Sequence, residues 1–313
     1  MVDLAVFTPI ETCWVCGARE RREIGSAAFD LAAFHEPHPD LARYTGKSVA
    51  LMECRRCGFG QPEALPSLAD YFEQMYDQAW SAEWIEGEFT ATYKDLIFER
   101  VLRELGRRVP GDLRRLLDIG AHVGRLMHLA SRAGWAAEGI ELNPRTAAYA
   151  AKATGLLVHR QDASTLAERG VRYGAVTLID VLEHIPRPAE ILKAARRLMA
   201  PGGWIAVKVP HGRMQIVKER WRARLQRGYE GAVATNLVHV NQFGPRSLRL
   251  ALEQAGFTEV AIEIGAPELP SGSSLRRRAE NALRQVVWRA GQLLPRGVES
   301  PLSLHLQAYA RAA

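Results

Sequence analysis

The chain has 313 residues, enough for one large domain or two and for a sizeable core. Apolar residues at 47% and charged residues at 24% are the proportions of a soluble globular protein, which excludes disorder or fibrous repeats as a global description. No window of about 18 uncharged apolar residues occurs, and the N-terminus carries an acid and no basic run before its short apolar patch, so a cytoplasmic, non-spanning protein is expected. The net charge of +6 is unevenly placed: residues 271–313 hold seven Arg against two Glu, and residues 213–228 hold six basic groups against one acid. The remainder is slightly acidic, which argues against a nucleic-acid-binding body. Arg outnumbers Lys 35 to 6, a bias that base composition of the genome can produce, although it does not explain the clustering.

In chain order, the first signal is the cysteine pattern. All four cysteines fall in the first 57 residues as Cys13-x-x-Cys16 and Cys54-x-x-Cys57, each pair followed by glycine. Each C-x-x-C turn presents two thiolates to one point, and the following glycine lets the chain curl so that backbone N–H groups face sulfur. Four such ligands suit a closed, structural, tetrahedral Zn²⁺ site better than disulfides in a reducing cytoplasm. His35 and His38 lie between the pairs as alternative ligands or solvated turn residues. Residues 10–61 carry seven basic and seven acidic groups, and a neutral module is a poor reader of phosphates.

After this module (1–61), LPSLADYFEQMY and GEFTATYKDLIFERVLRELGRRV read as helices of a connector (62–111), with Ser67 and Asp70 as a capping box. From Leu113 short apolar runs alternate with helical segments. LRRLLDIG, AAEGIEL, LVHRQDA, YGAVTLIDVL and GWIAVKVP read as strands, with helices at GRLMHLASRAG, NPRTAAYAAKATG, PAEILKAARRLMA and PRSLRLALEQAGF. The expected fold is an α/β doubly wound, mostly parallel seven-stranded sheet: a core over 112–265, a basic helical insertion at 266–300, and a terminal strand in 301–313.

In such a sheet, ligands bind beyond the carboxyl ends of the strands. The first strand runs into LLDIGAHVG, where Asp118 closes the strand and Gly120 and Gly124 open a turn into a helix. The next strand ends at Glu141, whose two oxygens suit the hydroxyls of a ribose, and Asp162 follows the third, placed for an adenine amino group. Taken singly, each acid reads as a helix cap. The spacing Gly120-x-x-x-Gly124 departs from the G-x-G-x-x-G of a dinucleotide site, which disfavours a nicotinamide oxidoreductase.

With these residues in place, the sequence resembles the class I S-adenosylmethionine-dependent methyltransferases over about 112–265. LLDIGAHVG matches the glycine motif, Glu141 the ribose acid, Asp162 the adenine-side acid, and LIDVLEHI, with Asp180, Glu183 and His184, the fourth-strand segment. The loop MAPGGW is also typical. His122 stands where a glycine is usual, and the long C-terminal domain of deoxysugar C-methyltransferases has no counterpart. The resemblance implies cofactor contacts from Asp118, Gly120, His122, Gly124, Glu141, Leu142, Asp162, Ala163, Asp180 and Val181. With the cysteine module it is similar to bacterial enzymes acting on sugars, glycans and natural products, which implies O- or C-methylation of a small molecule. An RNA methyltransferase using the zinc module, or a non-catalytic cofactor-binding scaffold, is the alternative.

His184 and His239, oriented by Glu183 or Asp180, are the base candidates, with His211 ranked after them; a hydrogen-bonded structural role is the competing account. Tyr76 and Tyr93 either fold over the cofactor or pack the core. Two Arg-rich stretches carry apolar residues at helical spacing: Met214, Val217, Trp221 and Leu225 in one, and Leu275, Ala279, Leu283, Val286, Ala290 and Leu293 in the other, the latter opposed by Arg276, Arg277 and Arg284. They read either as a platform for an anionic acceptor or a peripheral membrane contact through 273–294, or as amphipathic helices packed on the domain with solvated Arg faces.

Overall fold

The computed structural model describes residues 6–31, 39–78, 81–225 and 235–313, so His35 and His38 lie outside the described residues. The chain divides into two compact units: residues 1–81, 182–188 and 210–250 form one, and 82–181, 189–209 and 251–313 the other. The segment 62–111 is therefore shared between them.

In the first unit, strands β1 (Phe7–Pro9), β2 (Arg21–Ala28), β3 (Ser48–Cys54), β4 (Gly60–Pro62) and β5 (Ala64–Pro66) make a three-stranded sheet of order β2-β3-β4 and a β1-β5 ribbon, both antiparallel. Phe7, Phe29, Tyr44 and Tyr71 stack edge-on at its centre. Such tilted aromatic packing adds to the area each ring buries. The helix Tyr71–Gln78 begins just after Asp70. The Ser67 hydroxyl bonds Thr8 (3.0 Å) instead of capping it.

The second unit holds the seven-stranded sheet: β6 (Arg115–Ile119), β7 (Ala136–Ile140), β8 (Val158–His159), β9 (Tyr173–Ile179), β10 (Met199–Pro210), β11 (Phe257–Ile264) and β12 (His305–Ala312), in the order β11-β12-β10-β9-β6-β7-β8. The pairs among β10, β9, β6, β7 and β8 are parallel and β11–β12 is antiparallel. β9 is buried along nearly its whole length, as a strand covered by helices on both faces must be. All seven expected strands are present. The order reverses at β6, so the loops after β6 and β9 open at the switch point where α/β sheets take ligands.

Local chemistry sets the helix ends around that point. Asn143 caps Pro144–Thr154 by accepting from the N–H groups of Arg145 and Thr146, Pro144 takes the first turn, and Gly155 ends it at φ 70°. Gly139 lets the helix Arg125–Arg132 sit close against β7, since a Cβ there would lie 2.5 Å from the Met127 sulfur. The segment read as one long helix before the core is two, Ala82–Thr90 and Asp95–Arg108. The Tyr93 carbonyl accepts from the Leu269 N–H instead of continuing the helical ladder, and Lys94 beside it reaches a half-buried partner described below.

Candidate functional site

In the second unit, the loop after β6 is built around positive backbone angles. Gly120 has φ 78° and a Cβ there would approach a Val181 methyl to 2.5 Å, so only glycine fits. Gly124, at φ 82°, starts the helix Arg125–Arg132. Between them His122 holds φ 51°, an uncommon conformation for a residue with a side chain. Its N–H donates to Glu141 Oε2 (2.8 Å), and its ring meets Trp84 edge-on at 5.3 Å. Burial, helped by the charge of Lys94, lowers the imidazole to about 4, so His122 is neutral at physiological pH.

Glu141 Oε1 accepts from the Asn143 N–H (2.9 Å); burial pushes the carboxyl up, and the Asn143 and His122 N–H groups, with the Thr146 hydroxyl and Leu142 N–H, oppose the rise. An ionised carboxylate has about four acceptor positions, and both oxygens are held in a fixed orientation at the end of β7. Leu142 beside it is 55% exposed, an apolar surface suited to a base. The exposed backbone at Gly120, the anchored acid and this apolar neighbour are the chemistry an adenosyl group requires. Ala163 and Val181 are buried beside the ends of the neighbouring strands.

Three other acids named from the sequence have protein partners. Asp118 is buried and accepts from the Thr177 hydroxyl (2.7 Å); burial pushes its carboxyl up to about 7 despite that bond, and the charge of Glu141 adds to the rise. Asp162 caps the helix Ala163–Glu168, taking the Thr165 N–H (2.9 Å) and hydroxyl (2.8 Å). Asp180, at φ 56°, accepts from Lys208 Nζ (2.5 Å) and Lys94 Nζ (3.0 Å). Burial opposes its charge, but the two ammonium groups hold the carboxyl far below the usual range. Burial likewise works against Lys94, and Asp180 outweighs it and keeps the ammonium charged. Glu268 adds to the rise of Lys94, so the ammonium faces a second carboxylate besides Asp180. Sequence reasoning missed both lysines, although Lys208 stood as a lone charge inside the apolar run GWIAVKVP.

Asp118 supports a prediction with its sign worked out. The raised folded pKa means that the native state holds a proton between the ordinary carboxyl range and about 7, so the group stabilises the fold below about 4 and loses that contribution as pH rises through 7. Asp118→Asn keeps an acceptor for Thr177 and removes the titration. Urea unfolding should find it more stable than the parent by about 2–4 kcal/mol at pH 8, with the gap closing towards pH 4. A pH-independent difference would mean that Asp118 does not carry a raised pKa.

In the first unit, Glu183, His184 and His239 come together with ligand-capable atoms all within 4.8 Å. Asn241 fastens their two segments: its amide donates to the carbonyls of Leu182 (2.6 Å) and Ile185 (2.7 Å), and its N–H donates to the Glu183 carbonyl (3.0 Å). Asn241 was not among the residues singled out from sequence, where it stood in VHVNQF as one more polar residue. His184 Nδ1 lies 2.6 Å from the Val238 carbonyl and 2.8 Å from the Tyr76 hydroxyl, which also donates to that carbonyl (2.9 Å). A carbonyl only accepts, so Nδ1 carries the proton and Nε2 the lone pair of a base. Nε2 is 3.9 Å from Glu183 Oε1, and the rings of His184 and His239 are 4.9 Å apart. Tyr76 therefore orients a histidine. Tyr93, in the other unit, spends its hydroxyl on Glu88. His211 is 3% exposed and burial lowers its ring to about 4, which leaves it neutral and closed to solvent.

The four cysteines converge as expected. Their sulfurs lie within 4.8 Å of one another, with Cys13–Cys57 at 3.6 Å and Cys16–Cys54 at 3.4 Å. A tetrahedral ion with sulfur at about 2.3 Å has ligand edges of about 3.8 Å, so the cluster is of a size to hold one. The two turns repeat each other: Gly17 N–H donates to Cys13 O and Gly58 N–H to Cys54 O, with φ 70° and 74°. Gln61, 1% exposed, braces the first turn through Trp14 N–H and Thr12 O, both 2.9 Å.

A sheet of this order with a glycine turn after its central strand and an anchored acid at the end of the next defines a class I S-adenosylmethionine-dependent methyltransferase. Known proteins agree. The family described as "Methyltransferase domain" matches residues 89–262, more than half of the chain, and the chain belongs to it. A ubiquinone biosynthesis O-methyltransferase of Paracidovorax citrulli is 32% identical over 99 residues, 29% of this chain and 42% of that protein. One from Cereibacter sphaeroides is 32% identical over 154 residues, covering 44% and 62%. The chain thus matches about half the length of these relatives. The solved Haemonchus contortus phosphoethanolamine N-methyltransferase 2 in complex with S-adenosyl-L-methionine shares the fold, with a TM-score of 0.51 and 15% identity over 80% of this chain and 62% of that one.

Proposed function

We propose that the protein transfers a methyl group from S-adenosylmethionine to a hydroxyl or acidic carbon of a small-molecule acceptor, in the cytoplasm. The observation that carries this is Glu141: a partly buried carboxylate fixed by the His122 and Asn143 N–H groups at the end of β7, beside the glycine turn after β6. The O-methyltransferase names of the relatives favour oxygen as the methylated atom.

When bound, the cofactor supplies a methyl group already activated on a sulfonium sulfur, so positioning is the main task left to the chain. Glu141 would hold the ribose, Leu142 would cover the base, and the open backbone at Gly120 would accept the close approach of the ligand. His184, its tautomer set by Val238, would take the acceptor proton at Nε2, with Glu183 and His239 supporting the imidazolium that results. The four cysteines would hold Zn²⁺ with no open coordination position, a structural role.

Calorimetry with S-adenosylhomocysteine, paired with a labelled-methyl turnover screen over sugars, phenols and glycans, tests this. Glu141→Ala should weaken binding by about two orders of magnitude, the loss of two charge-assisted hydrogen bonds. His184→Ala should leave binding intact and lower turnover by about 10²–10⁴. Unchanged binding in the first variant would remove the cofactor site, and unchanged turnover in the second would remove the base.

A further inference from the structure

The helix Leu275–Leu293, between β11 and β12, packs in the reverse of the sense its pattern predicts. Its attached side carries Trp288, whose Nε1–H donates to Ile264 O (3.1 Å), and Gly291, where a Cβ would lie 2.8 Å from Ile264. Asn281 donates to Pro270 O (3.0 Å) on the same side, and Arg100 stacks on Trp288 at 5.0 Å. The apolar row is on the opposite side. Leu275 is 82% exposed, Leu283 63%, Val286 62% and Leu293 85%, and Ala279 and Ala290 between them are exposed as well. At about 100° per residue these six positions fall within roughly 80° of arc along about 28 Å of helix.

Arginines border the row on both edges. Arg276 lies on one side, and Arg278 and Arg289 on the other, all exposed, and the helix contains five arginines against one glutamate. Glu280 pairs with Arg276 and Arg277 and does not enter the row. A narrow aliphatic ridge edged by long cationic side chains is suited to lying in a bilayer interface, the leucines among acyl chains and the guanidinium groups reaching back to anionic headgroups. A protein partner typically meets aromatic anchors at the centre of its interface, and here the one aromatic residue of the helix faces inward. No helix of the described residues is long and apolar enough to cross a membrane, so the contact is peripheral.

We propose that the outward face of Leu275–Leu293 docks the protein on an anionic lipid bilayer. This stands independently of the methyl-transfer proposal, and its test requires no turnover. The full chain is floated with vesicles of phosphatidylcholine alone or of phosphatidylcholine with phosphatidylglycerol, alongside Leu283→Glu/Val286→Glu and Arg276→Ala/Arg278→Ala/Arg289→Ala, with light scattering and far-UV circular dichroism on each. The parent chain should float with the anionic vesicles only. The arginine variant should bind about fivefold more weakly per charge removed, near 100-fold in all, and the Glu variant should not float even at low salt. A parent chain that ignores anionic vesicles, or a Glu variant that floats like it, overturns the proposal. So does a dimer split by the Glu variant with no vesicle binding, which would assign the face to a second copy. Should the Glu variant misfold, the arginine variant decides alone, and binding equal to the parent's would reject the proposal.

Discussion

Asp180→Ala is expected to destabilise the folded chain by about 3–5 kcal/mol in urea unfolding at pH 7. The carboxylate lies between Lys208, 1% exposed, and the half-buried Lys94, and its removal leaves two ammonium groups around one site with no carboxylate between them. The cost is the desolvation of unpaired charge rather than the loss of an ion pair as such, so combining Asp180→Ala with Lys208→Met should recover a large part of it. Because the folded carboxyl titrates far below the ordinary range, its contribution is present at all pH values above about 4 and is lost only in more strongly acidic solution. A loss under about 1 kcal/mol, the scale of an exposed pair, would mean that water reaches the cluster.

The second large effect is expected from the cysteines. If Zn²⁺ occupies the cluster, one ion per chain should be found by atomic emission, and a strong chelator should cost the first unit several kcal/mol, because metal binding is folding free energy in a site of this kind. Strands β3 and β4 flank the Cys54–Cys57 turn, and β2 pairs with β3, so the three-stranded sheet should lose its protease protection with the metal. Cys54→Ser should reproduce the loss without chelator. A metal-free chain with unchanged melting and protection would leave these cysteines as plain core residues.

Much of this molecule is written in short stretches of sequence. Strand-and-helix alternation from Leu113, the glycine turn after β6, the acid ending β7 and the two C-x-x-C-G turns each depend on neighbours within a few residues, where backbone sterics and turn chemistry act directly. The parallel sheet and the chemistry at its edge follow from them. Pairings across long separations left no such trace. Lys94 reaches Asp180 over 86 residues and Lys208 reaches it over 28, and Tyr76 meets His184 across 108. No local periodicity encodes these, since a buried charge is tolerable only where a partner is brought to it by the whole fold.

The helix Leu275–Leu293 shows the division most sharply. Its sequence determined that it would be an amphipathic helix with an aliphatic row between arginines, because propensity and spacing are local properties. Which side attaches was decided by the tertiary structure. At Ile264 there is room for one indole and for a glycine that leaves space for the Ile264 side chain, and that fit outweighs burial of the longer aliphatic row, which is left facing outward.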